Sequence, residues 1–402
     1  GRPLAYGIRP TTRYALSDLS APEKKTMTHV LVRPVECWRD RRRFIRFPFD
    51  FYRNDPNWVP PLLGNQRELL GYKRHPFYDS AECQTFLAER GGQLCGRIAA
   101  IVNRTHNEFH QERRGFFGFF ESIDDAAVAR ALFDAAAVWL KSRGMQSFRG
   151  PANPSMNYEC GLLVEGFDSP PTFMMTYNPP YYANLVEGYG FAKGHDLLAY
   201  IGARGDLPNV AARLNPLAEQ AQARCHAVIR HTTHQTFKAD VEAFVDLYNR
   251  TLTVNWGFVP LPPGEMRKLA ASLEHLIVPE LAVMAEVDGQ SVGAIIGLPD
   301  YNPRIKEIGG RLFPFGVFRL LSKKKDIQRV RIISINVVPE YQRWGLGLVL
   351  MKALSPKGIE MGYEEAEFSW ISEGNDLARL GLEKGGAKVY KKYRMYDLAR
   401  PL

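Results

Sequence analysis

One order of secondary-structure elements occurs twice in this chain, and few folds accommodate such a duplication. From Cys225 onward, the strand-like "CHAVIRHT" is followed by two amphipathic stretches, "DVEAFVDLYNRTL" and "GEMRKLAASLEHLI". Apolar residues at i, i+3 and i+4 predict a helix for each. Two apolar strands then meet at Asp288-Gly289, a pair that favours the positive φ values of a tight hairpin. A strand over 329–338, a glycine loop, a helix, the strand "EAEFSW", a helix from Asn375 and the strand "VYKKYRMYDL" complete the set. The first half runs the same course. "HVLVRPVE", the helix "RRRFIRFPFDFYR", strands around Gly91-Gly92, the strand "GFFGFFES" and the helix "DDAAVARALFDAAAVWLKSRG" come first. "SFRG", the helix "YYANLVEGYG" and the strand "FAKGHDLLAYI" close it. The repeat is one of architecture, not of residue identity.

Strands interleaved with helices in this way predict a mixed α/β class, with twisted mixed sheets flanked by helices. The chain is 45% apolar, enough for two cores. We place the first unit at 27–205 and the second at 225–402, with 206–224 as a linker because Gly, Pro and Asn gather there. Residues 1–26 lack either hydrophobic period and are expected to be a leader or a loosely ordered arm. No apolar run reaches the length of a membrane span. Five scattered cysteines lack metal-ligand spacing and read as reduced thiols in a cytoplasmic setting. His106 and His110 share a helix face without a further ligand, so a surface helix and no metal are expected. The net charge of +9 suits phosphate-bearing partners. No nucleic-acid-binding motif accompanies the basic run at 39–43, so a nucleic acid is not expected among them.

The chemistry concentrates in "INVVPEYQRWGLGLVLMKAL", residues 335–354. Gln342-Arg343-Trp344-Gly345-Leu346-Gly347 fits Q/R-x-x-G-x-G/A after a strand bearing V-x-P. Glycine lets a backbone approach a ligand closely, and a helix starting there offers unpaired N–H groups to an anion. Here the chain resembles the Gcn5-related N-acetyltransferase (GNAT) superfamily. The resemblance implies direct acyl transfer from coenzyme A to an amine, with the pyrophosphate held by amides from about Arg343 to Leu348. It also implies that a backbone N–H at Val337 or Val338 polarises the thioester carbonyl. Asn375 and Ala378 match the next family landmark, but Leu382 stands where a tyrosine often protonates the leaving thiolate. Tyr390 and Tyr393 lie downstream as substitutes or as core residues. The first half has no such glycine loop; Glu121, Asp124 and Asp125 would repel a pyrophosphate. One acyl-CoA site in the second half is therefore expected, with the first half as acceptor or scaffold.

"RGPANPSMNYECGLLVEGFDSPPTFMMTYNPPYY", 149–182, is long, irregular and rich in polar and aromatic residues. Asn153, Asn157, Tyr158 and Tyr177 are candidates to orient a head group, and Glu159 is a candidate general base, a backbone-held water being the alternative. Asn255, Trp256 and Phe258 in "NWGFVP" fall where the superfamily places its acceptor. This segment, with "RFPFDFYRNDPNWVPPLL" and "GFFGFFES", resembles the bacterial ceramide synthases. That implies a long-chain lipid amine such as a sphingoid base as acceptor. An insertion at 302–328 interleaves Leu312, Phe313, Phe315, Val317, Phe318, Leu320 and Leu321 with Arg311 and Arg319, before Lys323–Lys325. It suits an anionic membrane surface or a lid over an acyl chain. The expected function is an acyl-CoA-dependent N-acyltransferase. The alternative is an inactive acyl-CoA or lipid-binding sensor that kept the cradle and lost the acid.

Overall fold

A computed structural model describes residues 29–322 and 326–402. The expected arm at 1–26 and the lysine cluster Lys323–Lys325 lie outside the described residues. The first half contains β1 (Leu31–Pro34), α1 (Trp38–Phe51), α2 (Leu63–Leu69), β2 (Ala81–Arg90), β3 (Gln93–Asn103) and α3 (Arg104–His110). It continues through β4 (Arg114–Ser122), α4 (Ala126–Ser142) and β5 (Ser147–Gly150). A two-stranded ribbon, β6 (Ala152–Asn153) with β7 (Glu159–Cys160), precedes β8 (Leu162–Glu165), α5 (Tyr182–Tyr189) and β9 (Phe191–Ala203). Helix α6 (Leu207–Cys225) leads into the second half. There follow β10 (Val228–His231), α7 (Phe237–Thr251), α8 (Pro263–Leu273), β11 (Ala282–Val287) and β12 (Gln290–Pro299). The insertion forms α9 (Asn302–Glu307) and α10 (Gly316–Leu321). Then come β13 (Arg329–Val337), α11 (Pro339–Gln342), α12 (Leu346–Glu360), β14 (Glu365–Ser372), α13 (Asp376–Lys384) and β15 (Lys388–Leu398).

The expected duplication is present as a pair of halves joined edge to edge. One mixed sheet runs β1-β2-β3-β4-β5-β15-β9-β14-β13-β12-β11-β10, with β8 also on β15. Each half has a single parallel pair, β4 with β5 and β13 with β14. Both hairpins turn on positive φ, at Gly91-Gly92 and at Asp288-Gly289. At the centre the last strands change sides. β9, which ends the first half, pairs with β14 of the second, and β15 pairs with β5 of the first. Asp397 on β15 locks this join by accepting from Arg149 (2.7 and 2.9 Å) and Arg114 (2.6 Å). A boundary at 205 therefore follows chain order, while hydrogen bonding shares β9 and β15 between the units.

The segment expected to be a linker is a 19-residue helix. Its prolines and asparagine hid an i, i+3, i+4 apolar pattern, and Pro208 sits in the first turn, where its missing N–H costs nothing. α12 packs on the second half's sheet through Leu346, Val349, Leu350 and Leu354, all buried. In the first half, Phe117, Phe120, Phe133, Phe148 and Phe191 make the equivalent core face.

Candidate active site

β13 and β14 pair only from Arg329–Ile332 with Glu365–Phe368 and then part. A cavity of about 1690 Å³ opens at this splay and is lined from both halves of the chain. It exceeds the roughly 300–1000 Å³ usual for a small-molecule site.

Strand geometry decides between the two valines. The Val338 N–H donates to the Val292 carbonyl at 3.0 Å, so it belongs to the β12–β13 ladder. Val338 is thereby corrected as an oxyanion donor: its proton is already used. N–H groups alternate along a strand, so the Val337 N–H points away from β12 and toward the splay. It has no hydrogen-bond partner among the described residues. The Val337 carbonyl, on the same side, accepts from Gln342 Nε2 at 2.8 Å, which fixes the start of the loop. Gly345 is the N-cap of α12 with φ 85°, and no side chain caps the helix. Gly345, Gly347, Leu348, Gln342 and Asn375 line the cavity. Leu346 is fully buried in the core instead. Arg343 and Trp344 border a shallow hollow beside the loop, next to Pro339 and Glu340. Asn375 also caps α13, accepting from the Ala378 N–H at 3.1 Å.

The matching place in the first half is shut. Ile123 donates to Cys95 as Val338 donates to Val292, so Ser122 corresponds to Val337. Its N–H donates to the Tyr182 hydroxyl at 2.9 Å, and its carbonyl accepts from Tyr181 at 2.8 Å. Asp125 caps α4 through the N–H groups of Ala127 and Val128. Glu121 is buried and accepts from Tyr52, Tyr182 and Arg97. The expected absence of a cradle is thus a filled site, held by tyrosines and a carboxylate cap.

On the acceptor side, Asn157, Tyr158, Asn255, Trp256 and Phe258 line the cavity as expected. Asn157 Oδ1 accepts from Tyr248 at 2.9 Å, joining the long loop to α7. Three candidates lie elsewhere. Asn153 Oδ1 accepts from the Phe119 N–H at 2.6 Å and so supports β4. Tyr177 donates to Asp55 at 2.8 Å within the first half. Glu159 is not among the lining residues, although its neighbours Tyr158 and Cys160 are. Burial pushes its carboxyl up to about 7, with Arg331 partly offsetting that. Tyr390 and Tyr393 do not line the cavity; Tyr390 bonds to the buried Glu367, and Tyr393 is fully buried. The paired histidines do not form the expected surface helix either: His106 is fully buried beside Glu112 at 2.7 Å, and His110 bonds the Phe258 carbonyl at 2.8 Å. That second bond ties α3 to the acceptor loop. Among the described residues no His, Cys, Asp and Glu group has the makings of a metal site. The apolar insertion contributes no described residue to the lining.

Sequence reasoning missed the group best placed for proton transfer. His195 on β9 lines the cavity, stacked on Trp256 with ring centres 4.4 Å apart. Its Nε2 shares a hydrogen bond with Ser372 Oγ at 2.8 Å, and Nδ1 stands 3.6 Å from Glu373. Burial lowers its pKa, so the ring is neutral at pH 7. His195 lay in a strand at a distance from every motif; only its exchange into the second half brings it to β14. Deeper on this side, Glu265 and Tyr158 face one another, buried, with Glu265 Oε1 and the Tyr158 hydroxyl both lacking a hydrogen bond among the described residues. The Trp370 indole N–H, at the splay, is also free among the described residues.

No protein-family model matches the chain. It is 37% identical to protein YghO of Escherichia coli (strain K12) over 373 residues, 91% of this chain and 95% of that protein. It is 36% identical to the bacterial ceramide synthase of Caulobacter vibrioides (strain NA1000 / CB15N) over 386 residues, 94% of this chain and 100% of that one. Among solved structures, a tandem GNAT protein from the clavulanic acid biosynthesis pathway superimposes with a TM-score of 0.53 at 11% identity. The match covers 92% of this chain and 98% of that chain.

Proposed function

The chain belongs to the family of the Caulobacter ceramide synthase and YghO and has the fold of a tandem GNAT protein, and from that premise we propose that it is an acyl-CoA-dependent N-acyltransferase. Its acceptor is a long-chain lipid amine of the sphingoid-base kind. The observation that carries the reading is the Val337 N–H, turned into a splayed strand pair beside an uncapped helix N-terminus. The Leu346 and Gly347 N–H groups suit a pyrophosphate, since no side chain caps this end of α12, whereas those of Gly345 and Leu348 already donate to the Gln342 and Gly345 carbonyls. Val337 donates to the carbonyl oxygen as it gains negative charge during attack.

His195 acts as the base. The acceptor enters as an ammonium, and neutral His195 takes its proton so that the nitrogen can attack the thioester carbon. The C–N bond forms, the tetrahedral centre collapses, and the C–S bond breaks. Of the two protons the ammonium gives up, one ends on the sulfur and one in solvent. No tyrosine acid is required for this, because a thiolate is a tolerable leaving group. Tyr158, Asn255 and the Trp370 indole offer hydrogen bonds to hydroxyls near the amine.

A lipid acceptor also fits the tip of the insertion, where Phe313, Phe315 and Phe318 are 89%, 70% and 71% exposed beside Arg311 and Arg319. Docking of this tip on an anionic bilayer belongs to the same reading. Among the described residues no helix is long and apolar enough to cross a membrane. A second reading, an acyl-CoA sensor, is favoured by Leu382 in place of the family's acid. Thiol release from acetyl-, octanoyl- and palmitoyl-CoA, with and without sphinganine, separates the two. Acceptor-dependent release is the expected result. Saturable binding without release from any donor would favour the sensor.

A further inference from the structure

Helix α6 leaves an apolar space beneath it that neither the coenzyme nor the amine accounts for. Its face changes character along its length. Ala218, Ala221 and Cys225 are buried, whereas Val210, Ala211 and Leu214 are only half-buried and line the cavity. The helix spans the groove between α12 and the turn after α13. A Cβ placed at Gly345 would stand 3.3 Å from the Ala221 methyl, and ones at Gly385 and Gly386 would stand 3.9 Å from Leu214 and Val210. Glu219 pairs with Lys352 of α12 at 2.7 Å and holds the roof down.

The walls beneath this roof are likewise under-covered. No residue of α13 is buried, and Leu377 and Leu380 are 65% and 54% exposed. Leu382, where the family often has a tyrosine, adds a further apolar group to the lining. Two helices, α6 and α13, thus turn unburied apolar faces on one shared space, which is costly in water and is relieved by an apolar occupant.

The direction of this space identifies the occupant. The phosphate cradle and the Val337 N–H both sit at the C-terminal end of β13, and the acceptor side leads to Tyr158. The remaining branch runs back along β13 toward Val330 and Tyr363. Seven residue steps separate Val330 from Val337, roughly 23 Å at the usual strand rise. An acetyl group leaves such a branch empty; a fatty chain fills it. We propose that the hydrocarbon chain of the acyl donor lies in this compartment under α6, and that α6 sets the preferred chain length. The proposal rests on the acyltransferase reading above.

Ala211→Trp and Leu214→Trp place an indole in the compartment, away from the cradle and from His195. The measurement is kcat/KM over butyryl-, octanoyl- and palmitoyl-CoA with sphinganine, with thermal melting to confirm the fold. Both variants are expected to lower the palmitoyl-to-butyryl ratio at least tenfold. An unchanged ratio in folded variants overturns the proposal, as does a uniform loss at every chain length. If the wild type turns over no donor, the acyltransferase reading fails separately. Calorimetric binding then decides the compartment: palmitoyl-CoA must bind the wild type more tightly than free coenzyme A, and the variants must lose that advantage. Equal affinities would rule it out.

Discussion

The two halves share one backbone plan and treat the same strand end in opposite ways. In the first, the Ser122 N–H is taken by Tyr182, its carbonyl by Tyr181, and α4 is capped by Asp125. In the second, only the Val337 carbonyl is taken, and α12 starts at a glycine without a cap. Three residues lie between Ser122 and the start of α4, against eight between Val337 and the start of α12. Those extra residues form the glycine loop. The lesson is that a strand-to-helix turn becomes a site when its own polar groups are left unsatisfied, and becomes scaffold when side chains satisfy them.

The comparison breaks first at the cradle. Gly345→Glu sets a carboxylate and a strained left-handed backbone where a pyrophosphate is expected, and should weaken acyl-CoA binding on the order of 100-fold. Binding of coenzyme A by calorimetry should show one site per chain before the change; two sites would mean that the first half is open after all. Next is His195→Ala, for which kcat should drop by roughly 10²–10⁴. The base must be neutral, and burial holds its pKa below the ordinary imidazole value. The wild-type rate should therefore show a rising limb on the acid side of the ordinary imidazole value and lose that limb in the variant. A pH profile unaltered by the substitution would remove His195 from proton transfer.

Buried carboxylates sharpen the contrast at smaller amplitude. Glu121 in the first half has two tyrosines and an arginine, while Glu265 in the second is pushed up to about 7 by burial, with Tyr158 partly offsetting that. The folded state then holds the Glu265 proton over a range in which the unfolded chain has released it. Stability relative to Glu265→Gln should fall as pH rises from 4.5 to 7 and then level off, by up to about 3 kcal/mol. Denaturant melts of both proteins across that range measure it, and a flat difference would mean that Glu265 is already solvated. The smallest effect is expected from Tyr182→Phe, which strands the Ser122 N–H at a cost of about 1–3 kcal/mol. Its kcat should match the wild type, because Ser122 and Tyr182 at the plugged strand end do not line the cavity. A change in kcat would couple that strand end to the reaction.

What was legible in the chain was whatever depends on near neighbours. The Asp288-Gly289 hairpin, the Gly345 loop and the helical periods follow from local sterics and spacing, and the duplicated order followed from them. Pairings across long separations were not legible. Nothing near His195 announces that β9 crosses to β14, so the residue stayed unremarked. Asn153 and Tyr177 failed for a related reason: a polar side chain in a proline-rich loop looks the same whether it serves a ligand or, as Asn153 does, a backbone N–H 34 residues away. The α6 segment was read from its breakers and not from its apolar spacing, although both were present.

The exchange of β9 and β15 also sets a schedule for the growing polypeptide. Arg149 and its partner Asp397 are 248 positions apart, so at ~5–20 residues per second the ribosome supplies the second only ~12–50 s after the first. During that interval the nascent first half carries β5 as an open edge, the kind of surface that invites another chain. Neither half reaches its finished form before the last strand emerges, so a message truncated anywhere upstream of β15 yields no intact unit at all.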